Sequence, residues 1–365
     1  MPTGNDGPDR GKVLLLGSVG LSHVERVMAT AGELLGPYLR RLPDGEISVE
    51  PEGPRRGFVT QLRPVASECP FLEPDPDETT LGRRRTLEAE SHRNTRPPRF
   101  RVRTGVDAAA IRFETTGLAK TAIDSYAIFK RLKAKGAIPR DVRFQVCLPT
   151  VTAFLNTHIV LEAHRAVEPR YREALFADVD RIAATVPAQE LTIQWDVSTE
   201  MAQWEGVREA WFPDVRSGVI ERLADHCDRV PDGVELGVHL CYGNFGLRHW
   251  REPQSLANTV EVYNRLAATV TRAIDYVHMP VPIDRSDDAY FAPLDGLRLR
   301  PETTLYLGLI HERDGVDGAR RRIAAARRHV AAFGIATECG FGERPPEVVP
   351  ELMRLHVEVA RTLLP

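Results

Sequence analysis

Short apolar runs recur along the chain, spaced so that an amphipathic stretch fits between most neighbours. They are VLLLGSV at 13–19, YLRRLPDGE at 38–46, RFQVCLP at 143–149 and LTIQWDV at 191–197. VELGVHLCY at 234–242, IDYVHMPV at 274–281, TLYLGLI at 304–310 and FGIATECG at 333–340 bring the set to eight. Most are nearly continuous in apolar residues, as strands buried on both faces are. The second is the weakest, because Arg40 and Arg41 interrupt it. Between the runs lie segments with a helical period: HVERVMATAGELLGPY, EPRYREALFADVDRIAATV, VRSGVIERLADHCDRV, LANTVEVYNRLAATVTRAI and GARRRIAAARRHVAAF. A last helix is expected in PEVVPELMRLHVEVARTLL, whose first turn holds prolines where a missing N–H costs little.

Strand and helix in alternation imply a parallel sheet with right-handed crossovers. Eight such units predict a (β/α)₈ TIM barrel, a single domain over residues 12–365. The polar segment 1–11 is expected to be a disordered tail. Residues 47–135 are too long for one crossover and rich in Arg and Pro (EPEGPRRGF, LGRRRT, NTRPPRFRVR). They read as an insertion between strands 2 and 3, either a lid over the barrel mouth or a surface excursion packed on a neighbouring subunit of a homo-oligomer.

With 42% hydrophobic and 27% charged residues, the chain of 365 residues has the balance of a globular protein. A net charge of -3 predicts no broad affinity for nucleic acid or an anionic membrane. No apolar run approaches the roughly 20 residues that span a bilayer. Five scattered cysteines argue against a disulfide framework and for a reducing cytoplasm.

Candidate chemistry gathers at the C-terminal ends of the runs, where such barrels keep their active sites. Strand one ends at Gly17-Ser18, strand two at Asp44-Gly45-Glu46, strand four at Gln194-Trp195-Asp196. Strand five ends at His239-Leu240-Cys241-Tyr242, strand six carries His278, strand seven ends at His311, and strand eight ends at Glu338-Cys339. His239 and Cys241 are two apart and therefore share a face. Closure of the barrel brings Cys339 near them, and a His with two Cys suits tetrahedral Zn²⁺. Taken singly, each of the three also fits a packed interior residue. His278 is the nearest protein candidate for the fourth ligand, or else a group that orients another ligand or the substrate. Glu338, one residue from Cys339, is expected to point away. Asp196 is placed to hold an ammonium group, or to cap the next helix. Asp44 and Glu46 bind a basic substrate group or pair with Arg40 and Arg41. His311 is a candidate acid or base. Tyr242 opens a glycine-containing loop that can bend close to a ligand. A P-loop, a dinucleotide fingerprint and a GxSxG elbow are all missing.

At these residues the sequence resembles the cobalamin-independent methionine synthase family, in its catalytic C-terminal barrel. His239-Leu240-Cys241 followed by Tyr242 resembles the family's His-x-Cys strand, and Cys339-Gly340 its later Cys-Gly. Gln194-Trp195-Asp196 resembles the strand end whose Asp holds the amino acid's amino group. Gly17-Ser18 resembles the turn that contacts the carboxylate, and His311 the His after strand seven. The resemblance implies a zinc-dependent transfer of a methyl or alkyl group to a homocysteine-like thiol, from a donor such as a methyl folate. Its departures are the absence of the family's ligating Glu near His278, Val19-Gly20 after Ser18 in place of an aromatic and Pro, and the lack of the family's N-terminal half. These departures leave two further readings: a zinc-dependent lyase or hydrolase at the same site, and a non-catalytic zinc-stabilised ligand-binding barrel.

Overall fold

The computed structural model describes residues 9–46, 59, 62–77, 98–244 and 247–363. Seven strands form one parallel sheet: β1 (Arg41–Pro43), β4 (Arg143–Pro149), β5 (Leu191–Val197), β6 (Glu235–Leu240), β7 (Tyr276–Pro280), β8 (Thr304–Gly308) and β9 (Gly334–Ile335), in that order. The first run is the element that curls the sheet into a barrel. Val13 bridges in parallel to Leu39 on one edge and to Ile335 on the other. Leu14 N–H donates to the Ile335 carbonyl, and Ile335 N–H to that of Lys12. Higher up, Val19 bridges Phe341. The expected strand at 13–19 is thus present as separate bridges, because Gly17, at φ 130°, breaks the ladder.

A two-stranded antiparallel pair, β2 (Leu72–Pro74) and β3 (Phe100–Val102), lies in the expected insertion between the second and third barrel runs. The same stretch ends in the helix Leu118–Ala134, which packs between helices Val24–Leu35 and His164–Thr185 in the outer ring. Most of the Arg- and Pro-rich part, and the lid expected of it, falls outside the described residues. So do residues 1–8 of the expected tail, whereas Arg10 and Gly11 bond to the backbone at residues 36–39.

Alternation along the strands builds two cores. Outward residues such as Ile193, Trp195, Val238 and Leu240 join the large core between sheet and helices. A small inner core of Leu14, Leu16, Tyr276, Tyr306 and Ala336 fills the barrel. Inward polar residues stack in layers above and below it. Glu235 and Thr192 face each other at the bottom, Gln194 and Gly237 in the middle, Asp196 and His239 at the top. Tyr276 occupies the space beside Gly237, where a Cβ would lie 1.9 Å from its ring. Gly237→Ala is therefore expected to cost about 1–3 kcal/mol or more through overpacking, read as a lower urea midpoint. An unchanged midpoint would mean that Tyr276 moves freely, contrary to its complete burial.

Candidate metal centre at the barrel mouth

The top layer runs across three neighbouring strands: Asp196 pairs with His239, and His239 with His278. One step above, Cys241 directly follows β6, with its N–H bonded to the Val197 carbonyl. Cys339 arrives from the loop after β9, held by the turn in which Thr337 Oγ1 donates to the Cys339 carbonyl. The two Sγ atoms are 3.6 Å apart. One ligand atom each from His239, Cys241 and Cys339 lie within 4.8 Å of one another, the one such group among the described residues. His239 is 2% exposed, and its Nε2 has no hydrogen-bond partner. A buried imidazole nitrogen left bare beside two thiols is what a soft, tetrahedral metal requires.

The charges agree with this. The Cys241 thiol is pulled well below its usual range by the hydrogen bond with Cys339, against burial, and by His239. Cys339 is pushed up by the same bond and by burial, so one proton is shared by the pair. Burial opposes charge on His239, yet Cys241 and Asp196 raise its affinity for a proton. The Gly243 N–H also points at the Cys241 sulfur, at 3.2 Å.

His278 stands behind this cluster and outside it. Its Nδ1 is 2.8 Å from Nδ1 of His239 and its Nε2 is 3.1 Å from the Thr337 carbonyl. Burial first, and then His239, push its pKa well down. The expectation of a fourth ligand at His278 meets this geometry: both ring nitrogens are already engaged elsewhere.

Asp196 lies at the edge of the cluster, receiving Gln194 Nε2 at 2.7 Å. Burial raises its carboxyl to about 7, opposed by His239. Gln194 is itself fixed by the Leu16 carbonyl, Gln145 and the Tyr276 hydroxyl. Asp44 also acts on Asp196, and both Asp44 and Glu46 act on nearby Cys147. Arg40 and Arg41, the arginines beside these two acids in sequence, both pair with Glu235. Gly17 sits over Cys147, where a Cβ would come within 3.4 Å of the sulfur. Ser18 packs on Gly340, so the first turn and the Cys339 turn form one wall.

Two expected residues lie elsewhere. Trp195, between two inward residues, points outward: its Nε1 donates to the His226 carbonyl in the helix layer, away from the mouth. Tyr242 also turns aside, stacking on Trp250 and donating to Glu205 at 2.6 Å. His311 does reach the mouth. Its Nε2 donates to the Val281 carbonyl, and its Nδ1 is 3.5 Å from Glu338. Burial lowers it to about 3, so it is neutral near pH 7.

Glu338 and His249 are additions from the structure. The chain after Ile335 is no longer a strand, so alternation does not govern Glu338. Its carboxyl lies between His311 and His249, at 3.5 Å from each, and burial raises it to about 8. His249 comes from the loop after Cys241 and is also bonded to Glu252 at 2.9 Å.

No family model and no curated protein matches the sequence. Solved structures do. One is a protein from Listeria monocytogenes described as a vitamin-B12 independent methionine synthase, with a TM-score of 0.56 and 14% identity over 94% of this chain and 86% of that one. Another is a B12-independent methionine synthase from Shewanella sp. W3-18-1 in complex with selenomethionine, with a TM-score of 0.54 and 14% identity over 93% and 85%. The likeness is one of fold. It shows a TIM-barrel-like α/β fold similar to theirs, and the chemistry has to be argued from the residues. No helix among the described residues is long and apolar enough to cross a membrane.

Proposed function

We propose that the protein binds Zn²⁺ through His239, Cys241 and Cys339 and transfers a methyl or alkyl group to the sulfur of a small thiol, with a homocysteine-like amino acid as acceptor. The observation that carries this is the unpartnered Nε2 of buried His239, facing two thiols 3.6 Å apart. Three protein ligands with an open fourth position are the pattern of a catalytic site, and a structural site closes with four. A zinc ion held there supplies one thing, a substrate thiol kept as thiolate near neutral pH.

The chain's own residues do the rest. Asp196 binds the acceptor's ammonium group, which restores the charge that burial suppresses. The Gly17-Ser18 turn, against Gly340, receives its carboxylate. The acceptor sulfur attacks the alkyl carbon of the donor, the bond from that carbon to its carrier breaks, and the carrier leaves with the electron pair and takes up a proton. Glu338, protonated near neutral pH, serves as the proton source, with neutral His311 beside it. Positioning of acceptor and donor supplies much of the rate. The Shewanella protein's complex with selenomethionine is consistent with an amino-acid selenoether or thioether as product.

The test is a thermal-shift titration of the zinc-loaded protein with homocysteine. Stabilisation is expected in the parent, and a loss of affinity of roughly 10-fold or more in Asp196→Asn, from one charge-assisted hydrogen bond of about 1.5–3 kcal/mol. Retained zinc with no response to any small thiol would overturn acceptor alkylation in favour of a lyase or hydrolase at the same centre.

A further inference from the structure

His278 is fully buried; its closest polar contacts are the Thr337 carbonyl and a second imidazole, and the Leu240 carbonyl also lies near the ring. A carbonyl only accepts, so the Thr337 oxygen, at 3.1 Å, requires the proton of His278 to sit on Nε2. A buried imidazole that no carboxylate among the described residues touches is neutral and carries one N–H, which leaves Nδ1 of His278 bare. That bare nitrogen is 2.8 Å from Nδ1 of His239, and two bare nitrogens do not approach so closely. The proton between them therefore belongs to His239. With Nδ1 committed as a donor, His239 can offer only Nε2 to a metal, as a lone pair or by exchanging a proton for the ion.

We infer that His278 is a positioning residue: together with the Thr337 carbonyl it fixes the tautomer and ring plane of His239, so that Nε2 is presented to the thiol pair, and it leaves the fourth metal position to the substrate. This rests on the metal centre proposed above and specifies how that centre is held. The carbonyl comes from residue 337, two positions before Cys339, so one short segment delivers a thiol and, through His278, sets the opposing imidazole. Gly308 is part of the device. A Cβ there would lie 2.6 Å from Nε2 of His278 and 2.7 Å from the Thr337 oxygen, in the hydrogen bond itself. Outer partners of ligating histidines are worth 10–100-fold in metal affinity.

The experiment has a part that needs no metal and a part that does. In the metal-free protein with ¹⁵N-labelled histidine, His278 is expected to show a protonated Nε2 and a bare Nδ1, and His239 a protonated Nδ1. His278 protonated on Nδ1 would overturn the inference. In chelator competition, His278→Leu is expected to lower Zn²⁺ affinity about 10–100-fold. His278→Gln, whose amide can accept from His239 and donate to the carbonyl, is expected to keep most of it. The Co²⁺-loaded spectrum of His278→Leu is expected to keep the parent's ligand set, and loss of a nitrogen ligand there would show His278 to be a ligand and overturn the inference. If His278→Leu fails to fold, the glutamine variant and the parent's ¹⁵N spectrum still decide. A parent that binds no metal but shows the stated tautomers would overturn the proposed function while leaving the His278 arrangement intact.

Discussion

Cys339→Ser is expected to lose zinc, with affinity falling by more than the roughly 10–100-fold that removal of an outer partner costs. Serine keeps the shape but not the soft, acidic sulfur, and a hydroxyl does not ionise near neutral pH as a ligating thiol must. The site has little to compensate with. His278 is committed to Thr337 and His239, and Glu338 is engaged with His249 and His311. The informative control is Cys147→Ser. Cys147 is buried in the same barrel, and its sulfur accepts from Gln145 and Gln194, a role that a hydroxyl can take over. Metal content after dialysis against a chelator is expected to stay at the parent's level in Cys147→Ser and fall towards zero in Cys339→Ser. Stoichiometric zinc in Cys339→Ser would place the metal elsewhere and remove the basis of the functional proposal.

The contrast between these two cysteines shows what can be read from the chain. The strand runs from β4 to β8 are visible because both faces are buried, and the inner face holds the layers of polar residues. Two-residue spacing puts His239 and Cys241 on one face, and closure brings Cys339 to them, so the candidate His-Cys-Cys cluster is legible in the chain itself. The same alternation applied to Gln194-Trp195-Asp196 turns Trp195 outward, where the helix layer holds it. What cannot be read is what loops deliver. His249 reaches Glu338 from a loop, and Glu338 lies where the backbone has left strand geometry. The relation of His278 to His239 depends on a carbonyl, which side-chain patterns do not reveal.

Arg40 and Arg41 teach the converse. In the sequence they interrupt an apolar run, yet Arg41 is 2% exposed and is as much a part of the barrel interior as its neighbours. Its guanidinium stacks 4.2 Å over Tyr276 and bonds Glu235, whose second oxygen takes Arg40 and Arg143. The inner face of a barrel tolerates an arginine where charges are paired in a closed layer. A period-two reading that equates inside with apolar misses this.

Glu235→Leu is expected to be the most destabilising single change at the bottom of the barrel, costing roughly 3–5 kcal/mol, because it leaves the Arg41 guanidinium buried without an anion. Arg41→Met should cost less, since Arg40 and Arg143 still neutralise Glu235. In Glu235→Leu/Arg41→Met the penalty is expected to be largely recovered, as it is when a buried pair is replaced by apolar side chains. The pH dependence has a definite sign. Burial alone would raise the Glu235 carboxyl, but Arg41, Arg40 and Arg143 outweigh it and depress it from 4.5 to about 2. A carboxyl depressed on folding contributes stability that is full above its unfolded value and fades as pH falls from about 4.5 towards 2, about 3 kcal/mol in all. Urea midpoints of parent and Glu235→Leu should therefore differ widely at pH 7 and converge towards pH 3. A difference that persists unchanged at pH 3 would show that packing, not the ion pairs, holds this layer. Zinc affinity measured in the same variants is expected to change little wherever the protein remains folded. Glu235 and His239 stand on one strand with Gly237 between them, and the Tyr276 ring fills the barrel between the two layers. Loss of zinc in folded Glu235→Leu would instead mean that the bottom layer sets the geometry of the mouth through β6, against the usual separation of stability below from chemistry above in such barrels.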